Sequence, residues 1–130
     1  MDIISKNYSF FELKNLIDEI IRKFVNKEPN LKIKEILSHS LLGGKRIRPI
    51  ISFLTFKAFN KSKINFEKLS NLLLIPEIIH NISLIVDDLP CMDNDNYRRN
   101  KETTHFRFGV IPSYITISKM THNLLLEFTD

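Results

Sequence analysis

The chain has 130 residues, 43% of them hydrophobic and 26% charged, with a net charge of +4, one cysteine and no tryptophan. That balance excludes a disordered chain and allows a single domain with a real core. The lone thiol, Cys91, excludes an internal disulfide and suits a reducing, cytoplasmic setting. No apolar run approaches the ~20 residues of a bilayer span. Polar residues also interrupt the N-terminus too early for a signal peptide. The 13 lysines scatter along helix faces and no nucleic-acid-binding motif accompanies them, so no nucleic-acid partner is expected.

Taken in chain order, Ser9-Phe10-Phe11-Glu12 predicts a capping box. Leu13, Leu16, Ile17, Ile20, Ile21 and Phe24 follow it at the one-sided spacing of a helix. Glu28-Pro29-Asn30 breaks that helix, and Asn30 caps a second one, which turns Ile33, Ile36, Leu37 and Leu41 inward and ends at Gly43-Gly44. Pro49 suits the first turn of a third helix over residues 49–59, apolar nearly all round and therefore expected to be buried. Residues 60–65 read as a polar loop. A long fourth helix is expected from about Phe66 to Leu89, with a bend near Leu72–Pro76, because a mid-helix proline costs ~3 kcal/mol unless a kink absorbs it. Residues 90–109 read as polar and irregular, and Pro112 opens a last helix reaching Phe128. No segment reads as a strand, and the predicted class is all-α.

The chemistry concentrates in Asp87-Asp88-Leu89-Pro90-Cys91-Met92-Asp93, then Asp95, then Arg98-Arg99. Carboxylates this close repel one another unless a divalent cation lies among them, and the arginines call for an anion. A diphosphate carried by Mg²⁺ satisfies both. On a continuous helix Asp93 would point roughly 240° away from Asp87, so Pro90 is expected to end the helix and let the chain curl back. The plain alternative is a solvated acidic loop. An EF-hand fails, since Arg98 replaces the turn glycine and Thr104 the bidentate glutamate. One cysteine and four scattered histidines give no soft-metal site. His80 lies seven residues before Asp87, on the same helix face. Upstream, Gly43-Gly44-Lys45-Arg46-Ile47-Arg48-Pro49 forms a second compact cationic site, in which Lys45 and Arg48 are placed to grip one anion.

Together these segments resemble the trans-isoprenyl diphosphate synthases (the polyprenyl synthetase family), short-chain farnesyl and geranylgeranyl diphosphate synthase type. The matching stretches are Gly43–Pro49, Glu77-Ile78-Ile79-His80, Ser83-Leu84-Ile85 and Asp87 through Asp95. Arg98-Arg99, Thr103, His105, Phe108 and Gly109 complete the set. The resemblance covers about Leu13 to Gly109. It implies the N-terminal part of the isoprenoid synthase helical bundle, built around a central cavity. It also implies a prenyltransferase in isoprenoid biosynthesis that condenses isopentenyl diphosphate with an allylic diphosphate.

By the same resemblance Asp87, Asp88 and Asp93 would hold Mg²⁺ on the allylic diphosphate, and Arg98 would contact that diphosphate. Lys45, Arg48, His80 and Arg99 would hold isopentenyl diphosphate. Lys45, Arg48, Asp87, Asp88 and Asp93 would be the catalytic set. Ile82, five residues before Asp87, blocks less of a cavity than an aromatic would and favours a longer, geranylgeranyl-like product. The family carries a second aspartate-rich motif in its C-terminal half, and this chain has none, so the isolated chain is expected to be inactive. The expected partners are a second copy or a complementing C-terminal half. Two rival readings are a non-catalytic remnant or binding subunit, and a terpene cyclase or squalene-synthase relative. The Gly-Gly-Lys-Arg segment argues against the latter, because condensing enzymes need the second diphosphate site.

Overall fold

A computed structural model describes residues 3–60 and 62–129; Lys61, within the expected polar loop, and the extreme chain ends lie outside it. Helix α1 (Phe10–Asn26) opens on the expected capping box: the Glu12 amide donates to Ser9 Oγ at 3.2 Å and the Ser9 amide to Glu12 Oε2 at 2.8 Å. Its buried stripe is Leu13, Ile17, Ile20, Ile21, Phe24 and Val25. Helix α2 (Leu31–Leu41) is capped by the Asn30 side chain, which accepts from the Lys32 and Ile33 amides. Gly43, at φ +93°, turns the chain away from it. Between α1 and α2 the Glu28 carboxylate is fully buried; it accepts from the Asn30 amide and from Asn123 Nδ2, tying this corner to the last helix.

Helix α3 (Ile47–Phe59) begins two residues before the predicted start, with Pro49 still inside the first turn, where its missing N–H is not needed. The expectation that α3 is wholly buried is not met. Pro49, Ile50 and Phe53 face the core, whereas Ile51, Leu54 and Phe59 are exposed.

Helix α4 (Phe66–Asp88) is capped by Asn65 and runs unbroken through Pro76, which withholds a donor from the Leu72 carbonyl without splitting the helix. It is the central element and packs against α1, α2 and α3, and against α5 and α6 below. Leu69, Leu73, Leu74, Ile78 and Ile85 meet Ile17, Leu37, Phe53 and Met120 in one continuous core. Burial of each such side chain stabilises the fold by roughly 1.5–3 kcal/mol. Contrary to the sequence reading, α4 is long and apolar enough to cross a bilayer, with a mean hydropathy of 1.6 over its best window. Its buried Glu77 and Asn81 and its packing partners are those of a core helix.

The segment after α4 is more regular than expected. A two-residue hairpin pairs β1 (Tyr97–Arg98) with β2 (Lys101–Glu102). Its turn residues Arg99 and Asn100 have φ of 51° and 61°, the twist that two-residue hairpins prefer. Tyr97 packs on Phe106 across the hairpin base. A one-turn helix, α5 (Thr104–Phe108), follows. Gly109, at φ +97°, then turns into α6 (Val110–Thr129), which starts two residues before Pro112. Among the described residues the secondary structure is six helices and this one two-residue hairpin, so the class is all-α.

Candidate active site

The acidic end of α4 folds back on itself. Leu89 caps the helix and is buried, Pro90 ends it, and Asn94 takes a left-handed turn at φ 53°. The Asp93 amide then donates to the Asp87 carbonyl at 2.9 Å and the Asp95 amide to the Asp88 carbonyl at 3.2 Å. The Asn94 amide reaches the Leu89 carbonyl at 3.0 Å. The expected reversal after Pro90 is therefore present, and it returns the Asp93 backbone to the turn that carries Asp87.

The three predicted carboxylates do not share one environment. Asp87 and Asp93 are exposed, and among the described residues neither side chain has a hydrogen-bond or ion-pair partner. Asp88 is buried and taken up by Arg98, whose Nε donates to Oδ2 at 3.0 Å and Nη2 to Oδ1 at 2.8 Å. That bidentate pair raises the Arg98 pKa above its ordinary value, first through the Asp88 hydrogen bonds and then, against the opposing effect of burial, through the charges of Asp88, Asp95 and Asp87. Among the described residues, no three His, Cys, Asp or Glu side chains converge tightly enough to enclose a metal. Mg²⁺, however, keeps several waters and binds through one or two carboxylates plus phosphate oxygens. The pair Asp87 and Asp93 fits that demand.

The cationic residues come from three separate segments and meet. Lys45 and Arg48 (before and inside α3), His80 (on α4) and Arg99 (at the hairpin turn) line one cavity of about 100 Å³. The His80 pKa is held below its ordinary 6.5, first by burial, then by Arg48, with Arg99 and Arg98 adding to it and Glu77 opposing. Burial and the neighbouring cations both favour the uncharged ring of His80, and the same cations favour an incoming anion. A neighbouring cavity of about 200 Å³ holds Asp88, Arg98 and Lys101 and shares Gly44, Asn81, Leu84 and Arg99 with the first. Arg99 stands where the two join.

One residue departs from the sequence reading. Arg46, counted with the cationic site, turns inward and is 2% exposed. Its Nε donates to Asp18 Oδ1 at 2.7 Å, Nη1 to Glu77 Oε1 at 2.8 Å and Nη2 to the Leu41 carbonyl at 2.6 Å. Asn81 Nδ2 adds bonds to the Glu77 carbonyl and to Oε1. Asp18 and Glu77 were not foreseen in this role. The available signal was Glu77 on the apolar α4, a place where an unpaired charge is not tolerated; Asp18 is only half-buried and also pairs with Lys14, so it gave no such signal.

The described residues form a helical half-bundle in which Lys45, Arg48 and Arg99 line one cavity with His80, and the exposed Asp87 lies near the end of the helix that carries His80. Comparison with known proteins gives the family. Residues 30–128 match the polyprenyl synthetase family model. The chain is 40% identical over 84 residues to geranylgeranyl pyrophosphate synthase 10 of Arabidopsis thaliana, which takes in 64% of this chain and 24% of that protein. It is 38% identical over 100 residues to the farnesyl diphosphate synthase of Geobacillus stearothermophilus, covering 75% of this chain and 33% of that one. The solved geranyltranstransferase of Thermotoga maritima superposes with a TM-score of 0.80 at 27% identity, over 94% of this chain and 45% of that one. The chain thus spans about a quarter to a third of the curated relatives' length. It belongs to the polyprenyl synthetase family of prenyltransferases and corresponds to the N-terminal portion of their helical fold.

Proposed function

We propose that this chain forms the diphosphate-binding side of a prenyltransferase that condenses isopentenyl diphosphate with an allylic diphosphate, of the farnesyl or geranylgeranyl diphosphate synthase type. The observation that carries this reading is the meeting of Lys45, Arg48, His80 and Arg99 in one cavity, with the exposed Asp87 seven residues beyond His80 on the same helix. In this reading the cavity takes isopentenyl diphosphate: Lys45 and Arg48 supply charge, Arg99 a planar fork, and His80 a ring N–H. Asp88 orients Arg98 through Nε and Nη2, which leaves Nη1 for the allylic diphosphate. Asp87 and Asp93 would hold Mg²⁺, which supplies charge neutralisation at the departing diphosphate. The reaction class is loss of the allylic diphosphate to give a carbocation, attack by the isopentenyl double bond, and loss of a proton. The cationic side chains act by stabilising the charge that grows on the leaving group.

For the 130-residue chain alone we infer binding without turnover, the behaviour of a binding subunit, because the described residues hold one aspartate-rich motif where the family carries two. The partner would be a second copy or a complementing C-terminal half. Exposed Ile51 and Leu54 on α3 and Ile111, Ile115 and Leu125 on α6 support a covered surface in the working assembly. A free, exposed Cys91 supports a reducing, cytoplasmic location. The test is incubation of the purified chain with isopentenyl diphosphate, geranyl diphosphate and Mg²⁺. No elongated product is expected, and detecting one would refute the inactive assignment.

A further inference from the structure

Lys45, Arg46 and Arg48 put three cations within four residues, and one of them faces the wrong way for a ligand. Lys45 and Arg48 are exposed and line the cavity with His80, whereas Arg46 between them is buried. We propose that Arg46, clamped by Asp18 and Glu77, is a positioning residue that fixes Lys45 and Arg48 on the cavity, so that diphosphate affinity depends on the clamp beyond its share in stability. The anion is the one assigned above, and the proposal rests on that reading.

The geometry supports a clamp. Arg46 adopts a left-handed backbone, φ 61° and ψ 25°, at the start of α3 and with no side-chain cap. A non-glycine residue holds that conformation only where its surroundings compel it. Three acceptors from three places do so here: Asp18 on α1, the Leu41 carbonyl at the end of α2, and Glu77 on α4. The backbone also lies directly on the clamp. A Cβ at Gly44 would come within 2.9 Å of Arg46 Nη1 and 3.3 Å of Glu77 Oε1.

Glu77 is one helical turn before His80, and Asn81, which donates to Glu77, lines both cavities. The clamp is therefore the floor of the anion site, and it sets where the Cα atoms of Lys45 and Arg48 stand over His80. Fixed starting points reduce the ordering that two long cationic side chains undergo when they bind an anion.

Arg46 and Glu77 are buried, while Asp18 is 19% exposed and also holds Lys14 at 2.9 Å; stability and positioning can be separated, because replacing buried ion groups by apolar residues of similar volume often leaves a protein as stable or more so. The test uses the full 130-residue chain and inorganic pyrophosphate in Mg²⁺-free buffer, with affinity measured by titration calorimetry below the melting point of every variant. The triple variant Asp18→Leu/Arg46→Met/Glu77→Leu is expected to melt at or near the wild-type temperature yet bind pyrophosphate at least tenfold more weakly. Arg46→Lys, which keeps the charge but cannot fork to three acceptors, is expected to fold and to bind several-fold more weakly. It decides the matter if the triple variant does not fold. Wild-type affinity in either folded variant overturns the proposal. If the wild-type chain itself does not bind pyrophosphate, the diphosphate reading falls and the positioning role falls with it. If the wild-type chain binds and a folded variant binds equally well, the positioning role alone falls and the diphosphate reading stands.

Discussion

The Asp93 amide donates to the Asp87 carbonyl at 2.9 Å, six residues back along the chain. That single bond returns the Asp93 backbone to the turn of α4 that carries Asp87, which a continuous helix would not do. If the two carboxylates act as a pair, Asp87→Asn and Asp93→Asn should each weaken Mg²⁺-dependent pyrophosphate binding at least tenfold and leave Mg²⁺-free binding within about twofold. Calorimetry with and without Mg²⁺ checks this; equal losses in both buffers would mean the carboxylates act through the fold.

Gly43 and Gly44 make different demands. Gly43 sits at φ +93° with open space where a Cβ would go, so Gly43→Ala should cost about 1 kcal/mol of backbone strain. Gly44 has its Cβ position against Arg46, a side chain pinned on three sides that cannot retreat. Gly44→Ala should cost more, about 1–3 kcal/mol. Urea unfolding of the two variants gives the order; a Gly43→Ala loss larger than that of Gly44→Ala would contradict the clamp.

The Asp88–Arg98 pair is half wet: the Asp88 side chain is 6% exposed and that of Arg98 is 35%. Hydrogen bonds to a charged partner are worth ~1.5–3 kcal/mol when buried, and solvent on the arginine trims this. Asp88→Asn should therefore destabilise by about 1 kcal/mol, measured by denaturant midpoint at constant slope.

His39 and His80 both sit below the ordinary 6.5, each chiefly through burial. The cations Lys101 and Arg107 depress His39 further, against the Glu102 carbonyl it faces, and Arg48 with Arg99 depresses His80. With the folded pKa lowered, the unfolded chain binds more protons as the pH falls through 6.5, so stability is full above that value and is lost below it. The urea midpoint should drop between pH 7.5 and pH 5.5, and the double variant His39→Gln/His80→Gln should flatten that drop. A midpoint that rises on acidification would contradict the assignment.

Much of this was legible in the sequence. Caps at Ser9 and Asn30 and the break at Gly43-Gly44 are local devices, and local chemistry reads directly. The acidic turn was readable because Pro90 forbids the alternative. The hairpin was not, because Arg99 and Asn100 lack the glycine that usually marks such a turn, and tertiary pairing of Arg98 with Asp88 holds it in place. The inward turn of Arg46 was hidden because its partners, Asp18 and Glu77, lie 28 and 31 residues away. The exposed faces of α3 escaped the reading because apolar composition states what prefers burial and does not supply a partner for it.

The most direct test of the account is titration of the 130-residue chain with inorganic pyrophosphate in the presence of Mg²⁺, for the wild type and for Arg48→Ala. The account predicts saturable one-site binding that Arg48→Ala weakens at least tenfold without unfolding the chain. Absence of binding, or equal affinity in the two proteins, would contradict it.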